Sequence, residues 1–150
     1  ELETTLFNNI IASDTIITYQ NGKFWLFTNI AKNKGGSTLD ELFLFSSEEL
    51  ISDCWIPHPQ NPIISDVKRS RPAGNIFEYN NKPYRPSQNN SKHYGYGMRI
   101  NQIKKLNEQE YEENVVESIY PEWDNRIIST HTINHMGSLT IIDGLLKRRK

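Results

Sequence analysis

Thr15-Ile16-Ile17-Thr18-Tyr19-Gln20-Asn21-Gly22-Lys23-Phe24-Trp25-Leu26-Phe27 places β-branched and aromatic runs on either side of an Asn-Gly pair. A two-residue hairpin turn needs positive φ at both central positions, which Asn-Gly adopts readily. The stretch therefore predicts an antiparallel hairpin, and the rest of the chain repeats it.

The second copy is Asn75-Ile76-Phe77-Glu78-Tyr79, turn Asn80-Asn81, then Lys82-Pro83-Tyr84-Arg85. The third is His131-Thr132-Ile133-Asn134-His135, turn Met136-Gly137, then Ser138-Leu139-Thr140-Ile141-Ile142. With Gly22, Asn81 and Gly137 at equivalent turn positions, the period is about 57 residues, which argues for propeller blades. Glu41-Leu42-Phe43-Leu44-Phe45-Ser46 reads as a third strand, and Trp55-Ile56-Pro57-His58 as an outer edge where proline is tolerated. Residues 96–103 and 111–119 supply the same two strands to the second repeat.

The expected fold is all-β, built of antiparallel four-stranded blades. One blade spans about 12–60, a second about 70–120, and an incomplete third about 128–146. A partial propeller leaves strand edges and blade faces uncovered. The expectation is that missing blades lie N-terminal to Glu1, with a second copy completing the ring as the alternative.

The 150 residues carry 36% hydrophobic and 11% aromatic side chains and a formal net charge of -1. That charge provides no field for a nucleic acid or an anionic membrane surface. The basic run Lys147-Arg148-Arg149-Lys150 reads as a solvated tail. No apolar run reaches the length of about 18 residues needed for a membrane-spanning helix, and no leader pattern is present. Beginning at Glu1, the chain is expected to be processed or cut from a longer one. Cys54 is the single cysteine, which excludes an internal disulfide; beside Trp55 it is expected to be a buried, inert thiol.

Several polar residues fall where blades turn toward a central channel. Asp14, just ahead of the first hairpin, can accept sugar hydroxyls or act with a second acid, or it can simply serve a turn. Arg71, in Ser70-Arg71-Pro72-Ala73-Gly74, holds the corresponding place in the second repeat; its fork of donors suits a carboxylate, a phosphate or vicinal hydroxyls, or a structural carboxylate. Arg85 and Gln88 on the next strand form a candidate polar pair for sugar or phosphate. Tyr94, within Lys92-His93-Tyr94-Gly95-Tyr96-Gly97, offers a ring for stacking on a pyranose, or an aromatic strand entry.

His131, with Asn134 nearby, is a candidate channel-facing group. His131 and His135 are four apart, but strand geometry and the lack of an intervening glutamate argue against zinc. Of Glu112 and Glu113, alternation allows only one to point inward. Asn89-Asn90-Ser91 matches a glycosylation acceptor. No phosphate loop, nucleophile elbow or paired-cysteine motif occurs, and no cofactor or metal is implied.

The ordered set Asp14-Thr15 with Trp25-Leu26-Phe27, Trp55-Ile56-Pro57-His58-Pro59 with Asn61-Pro62, Ser70-Arg71-Pro72-Ala73-Gly74, Tyr84-Arg85-Pro86-Ser87-Gln88, Tyr94-Gly95-Tyr96-Gly97 and His131-Thr132-Ile133-Asn134 covers nearly the whole chain. It resembles the N-terminal propeller domain of glucosamine inositolphosphorylceramide transferases and its bacterial relatives. The resemblance implies about half of a five-bladed propeller, similar to those of arabinanase-like and invertase-like glycoside hydrolases, whose acids converge in the axial channel. Asp14 would match the acid that begins an inner strand. Arg71-Pro72-Ala73-Gly74 stands where the next blade's general acid is expected, and the blade bearing the base or nucleophile would precede Glu1. In plant relatives the resemblance implies a separate glycosyltransferase domain, which is not expected within these residues.

The expected function is a carbohydrate-binding or carbohydrate-processing domain in glycan or glycolipid synthesis, with a sugar or glycolipid as partner. Asp14 is the candidate catalytic residue; Arg71, Arg85, Gln88, Tyr94, His131 and Asn134 are the candidate substrate contacts. The alternatives are a glycosidase or transglycosidase whose site is completed by missing blades, and a non-catalytic scaffold that docks proteins.

Overall fold

The computed structural model of the chain describes residues 5–31 and 33–147, and every regular element among them is a β-strand. β1 (Ile11–Gln20) and β2 (Lys23–Ala31) form the first hairpin, with Asn21 and Gly22 at φ 55° and 78° in its turn. β3 (Glu41–Ser47) adds to β2, and its outer edge is covered by two short pieces, β4 (Ile56–Pro57) and β5 (Ile64–Ser65). β4 pairs near Phe45 and β5 near Leu42, so one broken strand occupies the fourth position.

The second sheet runs in the order β6 (Phe77–Tyr79), β7 (Lys82–Asn89), β8 (Gly97–Leu106), β9 (Tyr111–Ile119). All its pairings are antiparallel, as in the first sheet. The third repeat contains β10 (Ile127–Ser129), β11 (Ile133–Met136), β12 (Leu139–Ile142) and β13 (Leu145–Leu146). β11 pairs with β12 as expected, but β10 also pairs with β13. The register of β11–β12 runs on into β10–β13 across an irregularity at residues 130–132 and 143–144, so the third hairpin is one longer, interrupted ladder.

The third hairpin turns one residue later than its sequence suggested. Met136 pairs with Leu139, so the loop is Gly137-Ser138, with Gly137 at φ 62°. Met136 belongs to the strand because a two-residue loop needs positive φ at its first position, which glycine adopts more readily than methionine.

The core lies between the first two sheets. Ile16, Trp25, Phe27, Leu42 and Leu44 meet Ile103, Leu106 and Tyr111, with the Phe27 and Tyr111 rings edge-on at 5.7 Å. Trp25 and Phe27 share one face of β2 by strand alternation. At one end the sheets are also tied by polar contacts: Asn21 Nδ2 donates to the Leu106 carbonyl, Lys23 pairs with Glu108, and the Tyr111 amide donates to Gln60 Oε1.

Cys54 is exposed beside a cleft with Lys23 and Glu48, contrary to the expected buried thiol. The apolar neighbours in sequence do not cover it; Trp55 turns inward while Cys54 turns out. Asn89 of the glycosylation match is 2% exposed, with Oδ1 accepting the Ser91 amide, so the folded chain withholds it. Of the basic run, Arg148, Arg149 and Lys150 lie outside the described residues.

Candidate functional site

The three repeats meet at the end of the hairpins away from their turns. A loop of residues 70–74 lies along β7, with the Ala73 amide donating to the Pro86 carbonyl and the Gln88 amide to the Arg71 carbonyl. The Ile133 amide then donates to the Ala73 carbonyl, which seats β11 against the same loop. Gly74, at φ 149°, is required at this junction: a Cβ there would lie 1.9 Å from the Ile133 carbonyl oxygen.

Between these elements opens a cleft of about 210 Å³, lined by Asp14, Ala73, Gly74, Gln88, Tyr94 and His131 among others. Asp14 sits in a β-bulge: the pairing register shifts between Ser13 and Ile16, and Asp14 itself takes φ 50°. An extra residue in a strand re-aims a side chain, and aspartate is among the few residues that tolerate this backbone. The bulge turns its carboxylate toward the second repeat.

There Arg71 Nε donates to Asp14 Oδ2 at 2.5 Å, and Gln88 Nε2 donates to the same oxygen at 3.0 Å. Gln88 Nε2 also donates to the Pro72 carbonyl, which fixes the amide. Asp14 Oδ1 has no hydrogen-bond partner among the described residues, and the side chain is 36% exposed. The Arg71 guanidinium carbon lies 5.3 Å from the centre of the Tyr94 ring, within cation–π range. Tyr94 is half exposed, and its ring centre is 5.3 Å from that of His131. The cleft thus combines a carboxylate oxygen, an aromatic ring and an imidazole.

Sequence reasoning missed Asp143, which reaches His131 from across the hairpin, at the break between β12 and β13. Its Oδ2 lies 2.5 Å from His131 Nδ1, and its Oδ1 accepts the amides of His131 and Thr132, each at 2.8 Å. The available signal was the hairpin register: carried one step past Ile133 and Ile142, it places Asp143 opposite Thr132 and next to His131.

The remaining two candidates stand apart from the cleft. Arg85 is fully buried, with Nε and Nη2 donating to the two carboxylate oxygens of Glu113 at 2.9 and 2.7 Å. Its Nη2 and Nη1 also donate to the Arg69 and Ser70 carbonyls. Arg85 and Gln88, three apart on a strand, face opposite sides and cannot act as a pair. Burial pulls the Arg85 guanidinium down, but the Glu113 charge, the Tyr111 hydroxyl and their hydrogen bonds together more than offset it and hold it cationic. Tyr111 donates to Glu113 Oε2 at 2.5 Å, and burial followed by the Glu113 charge pushes its phenol well up. Glu112, by contrast, is exposed, as alternation required.

Asn134 is exposed on β11, and its Oδ1 accepts the Asn75 amide at 3.1 Å. It pins the second repeat to the third beside Gly74 and does not line the cleft. No group of three or more potential metal ligands occurs among the described residues. No helix long and apolar enough to cross a membrane occurs among them either.

Comparison with known proteins bears on this arrangement. Residues 1–132 match the family model described as glucosamine inositolphosphorylceramide transferase 1, N-terminal. Two similar relatives are the proteins named glucosamine inositolphosphorylceramide transferase 1 from Oryza sativa subsp. japonica and subsp. indica. Each is 31% identical over 114 residues, covering 75% of this chain and 15% of the relative. The chain therefore spans a small part of the length of these relatives. No solved structure matches it. The matched segment contains Asp14, Arg71, Gln88, Tyr94 and His131 and ends before Asp143. This chain belongs to the glucosamine inositolphosphorylceramide transferase 1 N-terminal family.

Proposed function

We propose that the chain is a sugar-recognising part of a five-bladed β-propeller serving glycan or glycolipid synthesis, with its ligand in the Asp14–Tyr94–His131 cleft. The observation that carries this reading is convergence. Asp14, Arg71 and His131 each lie six to nine residues ahead of their own hairpin turn, and side chains from all three repeats meet at one cleft. Propeller channels collect side chains from equivalent positions of successive blades in this way. In this reading the repeats at about 12–60, 70–120 and 128–146 are consecutive blades, and further blades of the longer protein, or a second copy, complete the ring.

The relatives are named glucosamine inositolphosphorylceramide transferase 1, and glucosamine suits the wall described above. Asp14 Oδ1 accepts an ammonium or hydroxyl hydrogen, and Tyr94 offers a ring face to the C–H side of a pyranose. Arg71 and Gln88 orient the carboxylate. Arg85 and Asn134 support the loop and strand behind it.

Isothermal titration of the full-length protein with glucosamine tests the reading. Asp14→Asn keeps a residue that tolerates positive φ while removing the charge. It is expected to weaken binding about tenfold or more, the loss of a charge-assisted hydrogen bond. Unchanged affinity in a folded variant would place the sugar elsewhere. Turnover of aryl glycosides, lost in Asp14→Asn, would instead establish the glycosidase reading.

A further inference from the structure

We propose that Asp143 holds His131 in the Nδ1-protonated tautomer, so that Nε2 is a hydrogen-bond acceptor aimed into the sugar cleft and selects a ligand hydroxyl. The inference rests on the sugar reading above and extends it to a residue beyond the family match. Asp143 is here a positioning residue, and His131 the group that meets the ligand.

The geometry assigns the roles. Asp143 Oδ1 is committed to the His131 and Thr132 amides, and its Oδ2 is left to take Nδ1–H at 2.5 Å. A carboxylate has no hydrogen to give, so a neutral ring in this pair carries its hydrogen on Nδ1. Nε2 is then a lone-pair acceptor, and it has no partner among the described residues. Asp143 belongs to a second, adjoining cleft of about 190 Å³ that it shares with Tyr94, His131 and Leu145. It is absent from the wall of the first, whereas His131 lines both. The two ring nitrogens diverge, so with Nδ1 on Asp143, Nε2 is assigned to the first cleft, whose wall His131 shares but Asp143 does not.

The ring is also wedged in place. A Cβ on Gly95 would lie 3.1 Å from His131 Cβ, and the Thr130 amide, next to His131, donates to the Gly95 carbonyl. The same dyad logic, a buried or partly buried carboxylate fixing an imidazole tautomer, governs hydrolase triads and metal-binding histidines. Here it would make the cleft wall accept from the ligand rather than donate to it.

The experiment labels the full-length protein with ¹⁵N-histidine and reads two-bond ¹⁵N–¹H correlations at a pH where the ring shifts report neutral imidazole. Signals from this segment's four histidines are assigned by a His131→Gln variant. The expected pattern for His131 is Nδ1–H. In Asp143→Asn the amide oxygen can keep the two backbone amides while Nδ2–H faces Nδ1, which reverses the ring to Nε2–H. Glucosamine affinity is then expected to fall about tenfold, with the fold intact by amide spectra. An Nε2–H pattern in the unaltered protein overturns the proposal whatever the variants do. So does a reversed tautomer with unchanged glucosamine affinity, an outcome that leaves the sugar reading standing. If the unaltered protein shows Nδ1–H and binds no glucosamine, the sugar reading fails and takes the acceptor role with it.

Discussion

At position 14 an aspartate occupies a strand with φ 50°, a backbone that β-branched side chains reach only at a cost. Residues held in such conformations cluster at binding and catalytic sites, and the bulge here delivers a carboxylate to Arg71 and Gln88. Asp14→Val is therefore expected to lower stability by about 1–3 kcal/mol in chemical denaturation, while Asp14→Asn costs much less. Arg85 illustrates the opposite case. Arg85→Ala would strand the Glu113 carboxylate in the interior and is expected to destabilise by about 3–5 kcal/mol, whereas a paired Arg85→Met, Glu113→Leu change recovers most of that loss.

His58 supplies a pH signature. Burial holds its imidazole below the ordinary histidine value, partly offset by the hydrogen bond at the Asn107 carbonyl. The unfolded chain then binds the proton more readily, so this stabilising contribution is complete above about pH 6.5 and is lost as pH falls through the lowered folded value. His58→Asn should flatten that part of the stability profile, measured as denaturation midpoints from neutral to mildly acidic pH. Asp14, Gln88, Tyr94 and His131 could be named from sequence as candidates only, because residue type and offset from a turn suffice to suggest them. The buried pairing of Arg85 was not legible: its partner Glu113 is 28 residues away, and only the β7–β8–β9 register brings the two together.

Among the elements, the hairpins were read from turn chemistry, and the first two turns lie where Asn21-Gly22 and Asn80-Asn81 put them. The third slipped by one because pairing of Met136 with Leu139 fixes the loop at Gly137-Ser138. β10 and β13 were missed for a related reason: each is too short to show a period of two, and they pair as the interrupted continuation of the same hairpin. Gly74 is the joint between the second and third repeats. Gly74→Ala would drive a methyl into the Ile133 carbonyl, and the expected outcome is loss of hydrogen-exchange protection at the Ile133 amide and across β11 and β12. β8 and β9 should stay protected, since their pairing does not depend on that joint.

Across the whole chain, the antiparallel all-β class was legible because strand patterning is local, repeated and punctuated by turns. The inter-repeat cleft was legible only as a list of candidates, since a site assembled from positions 14, 88, 94 and 131 exists through packing and not through any motif. Apolar exposure is concentrated in the third repeat, where Met136 is 83% exposed and Leu139, Ile141 and Ile142 also face outward. A strand paired to the free edge of β12, as β3 pairs to β2, would cover that surface, and the propeller reading places further strands there. In the proposed reading, one sugar site lies where the three repeats join. Chemical-shift mapping of glucosamine on the full-length protein tests it most directly. Perturbations are expected at Asp14, Gly74, the Gln88 side-chain amide, Tyr94 and His131, with Arg85 and the Cys54 cleft silent; perturbations confined to the Lys23–Cys54 surface would place the ligand away from the junction of the repeats.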